Sequence, residues 1–106
     1  MTEMLEVSPQ TAKEWLDLGS AMLIDVREHH EVAQFAIPGA VHNPMSRFDF
    51  DSVPSGADKK LVFVCAHGMR SQQVGQYLLQ EKRVSEAYNL TGGVAAWAQA
   101  GLPNQT

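Results

Sequence analysis

Short apolar runs alternate along the chain with stretches whose apolar residues recur at helical spacing. AMLIDV at 21–26 is a nearly continuous apolar run that turns charged at Asp25, Arg27 and Glu28, the pattern of a strand buried on both faces of a parallel sheet. LVFVC at 61–65 has the same character and AVHN at 40–43 a weaker form of it, while a small strand is expected around Leu5 to Val7. Ser8 followed by Pro9 predicts a helix start, because a serine oxygen caps free N–H groups and proline fits the first helical position. Ala12, Trp15 and Leu16 then share a face, and Gly19 marks the stop.

Four further segments carry helical signals: EHHEVAQF, SRFDF, SQQVGQYLLQEK and GGVAAWAQAG. In the third, Val74, Tyr77 and Leu78 share a face, and Gly75 lowers helix propensity in exchange for close packing. Trp15 and Trp97 sit at core spacing and read as packing residues. The stretch FDFDSVPSGADKK has the turn and charge content of a surface loop. Strands and helices of these lengths, joined by short right-handed crossovers, predict a small three-layer α/β domain: a central parallel sheet of about five strands with helices on both faces. Such folds present their ligand crevices at the strand ends.

The 106 residues fit one compact domain spanning residues 1–106. With 44% hydrophobic and 19% charged residues, composition excludes disordered and fibrous classes. No apolar run approaches the length of a membrane span, and the N-terminal stretch lacks a basic region followed by an apolar one, so no membrane association and a cytoplasmic location are expected. The net charge of −4 and the scattered basic residues argue against a nucleic-acid partner. His29, His30, His42 and His67 show no paired ligand spacing, so no metal site is expected, and His42 reads as solvated or hydrogen-bonded.

One cysteine changes this plain picture. CAHGMRS at 65–71 places Cys65 where an apolar strand runs into a tight turn and then a helix. Such a loop aims backbone N–H groups at a point near the helix N-terminus, where negative charge is favoured. A sulfur there is favoured as the thiolate and becomes a nucleophile near neutral pH without a separate general base. Arg70 and His67 add to this effect if they point toward the sulfur; Gly68 supplies a left-handed turn residue, and Ser71 is expected to cap the helix. The alternative is that Cys65 ends a buried strand as a small hydrophobe. Asp25 and Arg27 end a neighbouring strand at the same edge. They read either as site support or, the favoured reading, as a structural ion pair.

These residues resemble the rhodanese-like sulfurtransferases. LIDVRE at 23–28 is similar to that family's first strand motif, and IPGAVHNP at 37–44 to its IPGA-H-xP segment. CAHGMRS is similar to its cysteine loop, and NLTGGVAAW at 89–97 to its closing L-x-GG-x-x-x-W signature. The order of the four motifs covers nearly the whole chain. One departure is that Phe35 and Ala36 stand where the family commonly has Gly and His before IPGA.

The resemblance implies a double displacement. The Cys65 thiolate takes the outer sulfur of thiosulfate or a persulfide, the N–H groups of Ala66, His67, Gly68, Met69, Arg70 and Ser71 cradle the resulting persulfide, and a thiol or cyanide acceptor removes the sulfur. No metal or organic cofactor is required. Arg70 is the one sure cation of the loop, so only a modest preference for thiosulfate is expected, with a persulfide or a protein thiol as natural donor or acceptor. Two alternatives remain: a noncatalytic rhodanese-like binding or sulfur-carrier module, and a phosphatase or arsenate reductase of related fold. The C-x4-R spacing from Cys65 to Arg70 is one residue shorter than the C-x5-R loop of cysteine-dependent phosphatases and suits a sulfur atom better than a phosphate.

Overall fold

Ser8 opens the first helix as its sequence predicts. In the computed structural model, which describes residues 3–56 and 58–104, its hydroxyl accepts the Thr11 N–H at 3.2 Å and Pro9 occupies the first turn. The elements in chain order are β1 (Leu5–Val7), α1 (Pro9–Asp17), β2 (Ala21–Asp25), α2 (His29–Gln34), β3 (Val41–His42), β4 (Lys60–Val64), α3 (Met69–Gln80), β5 (Tyr88–Leu90) and α4 (Gly93–Gln99).

The five strands form one parallel sheet in the order β1-β5-β4-β2-β3. β2 and β4 are the longest pair, in register from Ala21 opposite Lys60 to Asp25 opposite Val64. Both are almost wholly buried, which is why they read as continuous apolar runs rather than alternating ones.

Each face of the sheet carries its own apolar cluster. On one face Ala12, Val94 and Trp97 from α1 and α4 meet Val7, Leu23, Val62, Val64 and Leu90, with Trp15 and Leu16 packed alongside. On the other, Val74, Leu78 and Leu79 from α3 meet Ile24, Leu61 and Phe63. Trp97 is fully buried and its indole N–H donates to the Pro103 carbonyl at 2.8 Å, so its polar end is satisfied inside the core. A Cβ at Gly75 would meet the Met4 thioether at 2.5 Å, consistent with the close packing expected of that glycine.

The segment between β3 and β4 departs from expectation. SRFDF is not one helix: two single 3₁₀ turns, Met45–Arg47 and Phe50–Ser52, replace it. The following residues are not merely a surface loop either, because Phe48, Phe50 and Val53 pack against the α3-side cluster. The apolar spacing there is too short for a helix, yet its aromatic residues extend the cluster that α3 builds on that sheet face. Asn43 ties the segment down, its amide donating to the Asp49 carbonyl at 3.0 Å and its oxygen accepting the Asp49 N–H at 2.9 Å.

α3 and α4 follow adjacent strands, β4 and β5, yet lie on opposite faces of the sheet. This divergence lies at the carboxyl ends of those two strands, the place where α/β sheets generally bind their ligands.

Candidate active site

Cys65 follows the last residue of β4, at that end of the sheet, and is itself buried. The chain then turns through Gly68, whose φ of 108° places it in the left-handed region, and enters α3. Gly68 is therefore the N-cap, and Ser71 is not the cap the sequence suggested. Because the helix begins at Met69, Ser71 falls within its first turn and its side chain points inward, fully buried.

That displacement gives Ser71 another place in the site. Its hydroxyl lies 3.3 Å from the Cys65 sulfur and 2.5 Å from Asn89 Oδ1, while the Gly68 N–H donates to the sulfur at 3.1 Å. Burial pushes the Cys65 thiol up. The Ser71 hydroxyl and the backbone N–H groups of Ser71, Gly68 and His67 outweigh it, holding the thiol below its ordinary value of 9.0. His67 contributes through its backbone here.

The loop is held against the neighbouring strand and helix. Asn89 of β5 donates to the Gly68 carbonyl at 3.1 Å, and the Val94 and Ala95 N–H groups of α4 donate to the Cys65 and Ala66 carbonyls at 2.8 and 3.1 Å. Gly93, at φ 66°, makes that approach possible: a Cβ there would overlap the Cys65 carbonyl oxygen. The double glycine of the closing signature is thus a packing requirement of the cysteine loop.

Arg70 departs from the simplest expectation. Its guanidinium hydrogen-bonds Glu31 of α2 with both arms, Nη1 to Oε1 and Nη2 to Oε2 at 2.8 Å each, rather than the sulfur. The pair raises Arg70 further above its ordinary range and, through those hydrogen bonds, lowers Glu31 to about 2. Arg70 still feels the Cys65 charge across space.

Asp25 and Arg27 form a buried ion pair, Nη2 to Oδ2 at 2.7 Å, with Nε donating to Oδ1 at 3.0 Å. The remaining Arg27 donors reach the Phe35 carbonyl at 2.6 Å and the Glu31 carbonyl at 3.4 Å. The pair thus holds α2, and with it the partner of Arg70. It makes no hydrogen bond to Cys65. His42 is hydrogen-bonded, its Nε2 lying 2.6 Å from the Arg27 carbonyl oxygen. Among the described residues, no group of three or more His, Cys, Asp or Glu is arranged to hold a metal ion.

Sequence reasoning missed Glu31 and Asn89. Thirty-nine positions separate Glu31 from Arg70, and local patterning carries no trace of the pairing. Asn89 left a signal in its type, since an amide within a buried strand requires hydrogen-bond partners.

Residues 8–100 match the rhodanese-like domain. The chain belongs to the rhodanese-like domain family. This rhodanese-like chain is 38% identical to the Bacillus subtilis protein YtwF, over 90% of the chain and 91% of that protein. It is also 36% identical to the thiosulfate sulfurtransferase GlpE of Pseudomonas savastanoi, over 100% of the chain and 97% of that protein. A crystal structure of a rhodanese-related protein from Thermoplasma volcanium superposes with a TM-score of 0.82 at 25% identity, covering 95% of this chain and 97% of that one. The α/β fold read from the pattern is that of the family.

Proposed function

We propose that the protein is a sulfurtransferase that carries sulfane sulfur on Cys65. The observation that carries this reading is the set of donors converging on the sulfur: the Gly68 N–H at 3.1 Å and the Ser71 hydroxyl at 3.3 Å, which with the Ser71 and His67 N–H groups together outweigh burial, the largest single effect on the thiol, and hold it below its ordinary value.

In the first half-reaction the Cys65 thiolate attacks the outer sulfur of the donor. A sulfur–sulfur bond forms to Cys65 as the donor's own bond to that sulfur breaks, releasing sulfite from thiosulfate or a thiolate from a persulfide. The negative charge now sits on the outer sulfur of the Cys65 persulfide, and the N–H groups of the loop from Ala66 to Ser71 are the available donors to it. In the second half-reaction an acceptor thiolate or cyanide attacks that outer sulfur. The new bond forms, the Cys65 bond breaks and the thiolate returns.

Ser71 and Gly68 stabilise the anion, Asn89 positions both, and the Asp25–Arg27 pair supports the loop through α2. The acceptor extends to a protein thiol, and a reducing cytoplasm suits an unpaired cysteine that must stay reduced between turnovers. Among the described residues, no helix is long and apolar enough to cross a membrane.

Intact mass spectrometry of reduced protein after exposure to thiosulfate or a persulfide tests the reading. The expected result is one added sulfur on Cys65, lost to cyanide as thiocyanate and absent from Cys65→Ala. No gain with any donor would shift the weight to a noncatalytic module.

A further inference from the structure

An arginine that receives an anionic substrate offers its planar fork of N–H groups to it. In this protein the fork of Arg70 is already occupied, with both arms on the Glu31 carboxylate. Glu31 is itself held: its Oε1 accepts the Glu28 N–H at 3.0 Å across the start of α2, and its carbonyl receives Arg27. The pair does not open by titration near neutral pH, since Glu31 is lowered to about 2.

Among the described residues, no cation hydrogen-bonds the Cys65 sulfur, whose side-chain and backbone partners are the Ser71 hydroxyl and the Gly68 N–H. Ala66, Gly68 and Met69 bring no charge to the loop. Glu28 stands beside the Arg70 pair, its carboxylate bonded to the Ser46 N–H and hydroxyl at 3.2 and 2.5 Å. On the other flank, the Glu6 carboxylate accepts the Asn89 amide at 3.2 Å and the Thr91 hydroxyl at 2.8 Å. The thiolate is therefore stabilised at short range by neutral N–H and O–H dipoles, while the charge around it is balanced or negative. Short-range dipoles suit a sulfur anion already in the cradle; they do little to attract a doubly charged donor from solution.

Resting on the sulfur-transfer reading, we propose that Glu31 is a positioning residue that sets donor class: by occupying the Arg70 fork it disfavours dianionic thiosulfate relative to donors of lower charge, such as alkyl persulfides. Gln at position 31 retains an oxygen for the helix cap and removes the charge, leaving Arg70 to face the incoming anion. One unit of freed charge near the sulfur is worth on the order of tenfold in the relative use of an anion.

The experiment compares wild type with Glu31→Gln, Glu31→Asp and the double variant Glu31→Gln/Arg70→Gln. The first readout is the ratio of kcat/KM for thiosulfate to that for a hydroxyalkyl persulfide. The second, which needs no sulfur transfer, is the ratio of Cys65 alkylation rates by anionic iodoacetate and neutral iodoacetamide. Glu31→Gln is expected to raise the first ratio about tenfold and the second several-fold. Aspartate is expected to return both toward wild type, and the double variant to lose the gain because the effect acts through Arg70. Unchanged ratios in Glu31→Gln, or a gain that persists without Arg70, would overturn the proposal. If wild type takes sulfur from neither donor, the sulfur-transfer reading fails, while the alkylation ratio still decides whether Glu31 masks Arg70.

Discussion

The Ser71 hydroxyl lies 3.3 Å from the Cys65 sulfur and has one proton to give. The same oxygen lies 2.5 Å from Asn89 Oδ1, whose amide is oriented by its donation to the Gly68 carbonyl and to Glu6. Donation to the sulfur therefore competes with donation to Asn89, whereas the Gly68 N–H serves the sulfur alone. Ionising Cys65 turns Ser71 toward the charge, because a hydrogen bond to an anion is the stronger one.

Ser71→Ala should raise the pH midpoint of Cys65 alkylation and, at neutral pH, reduce the rate of sulfur uptake by on the order of tenfold, the usual worth of one hydrogen bond to a charged group. The wild-type midpoint should lie below that of an ordinary exposed thiol, because the Cys65 pKa is lowered. An iodoacetamide pH–rate profile of both proteins checks this, and coincident midpoints would remove Ser71 from the account.

Gly93→Ala should both destabilise the fold and disturb the cysteine loop. The residue sits at φ 66°, which costs an alanine about 1–2 kcal/mol, and the new Cβ would overlap the Cys65 carbonyl oxygen. Urea unfolding should show a loss of at least about that size. Alkylation of Cys65 should lose its low-pH onset, as the cradle shifts with the backbone.

Glu31 should make stability depend on acid. Its ordinary value is 4.5 and its folded value about 2, so the stability it contributes is complete above 4.5 and is lost as pH falls toward 2. Glu31→Gln lacks this contribution, and its deficit in melting temperature relative to wild type should shrink across that window. A deficit that stays constant over the same range would show that the paired carboxylate is not its source.

Arg27→Met should be the costliest of these changes. Asp25 and Arg27 are both buried, and removing one partner leaves an uncompensated charge, a loss of about 3–5 kcal/mol. It also deprives the Phe35 carbonyl of its donor. Urea denaturation measures the loss; a change below about 1 kcal/mol would mean that water reaches Asp25 freely.

The sequence by itself determined the sheet and the place of the cysteine at the end of β4. Buried parallel strands are written as apolar runs, so β2 and β4 were legible from AMLIDV and LVFVC, and Ser8 with Pro9 announced α1 through local capping chemistry. Cys65 stood out because strand, glycine turn and helix follow one another along the chain. What only the tertiary structure decided is which side chains meet at that sulfur and which do not. Ser71 turned from a cap into a sulfur neighbour when the helix began two residues earlier than the serine, and Arg70 was claimed by Glu31 from a separate helix. Asn89 reached the loop from β5. Local pattern records the periodicity of burial, which neighbours in sequence share. Pairings between distant polar groups depend on how the helices are set across the sheet, and that is fixed only when both faces pack.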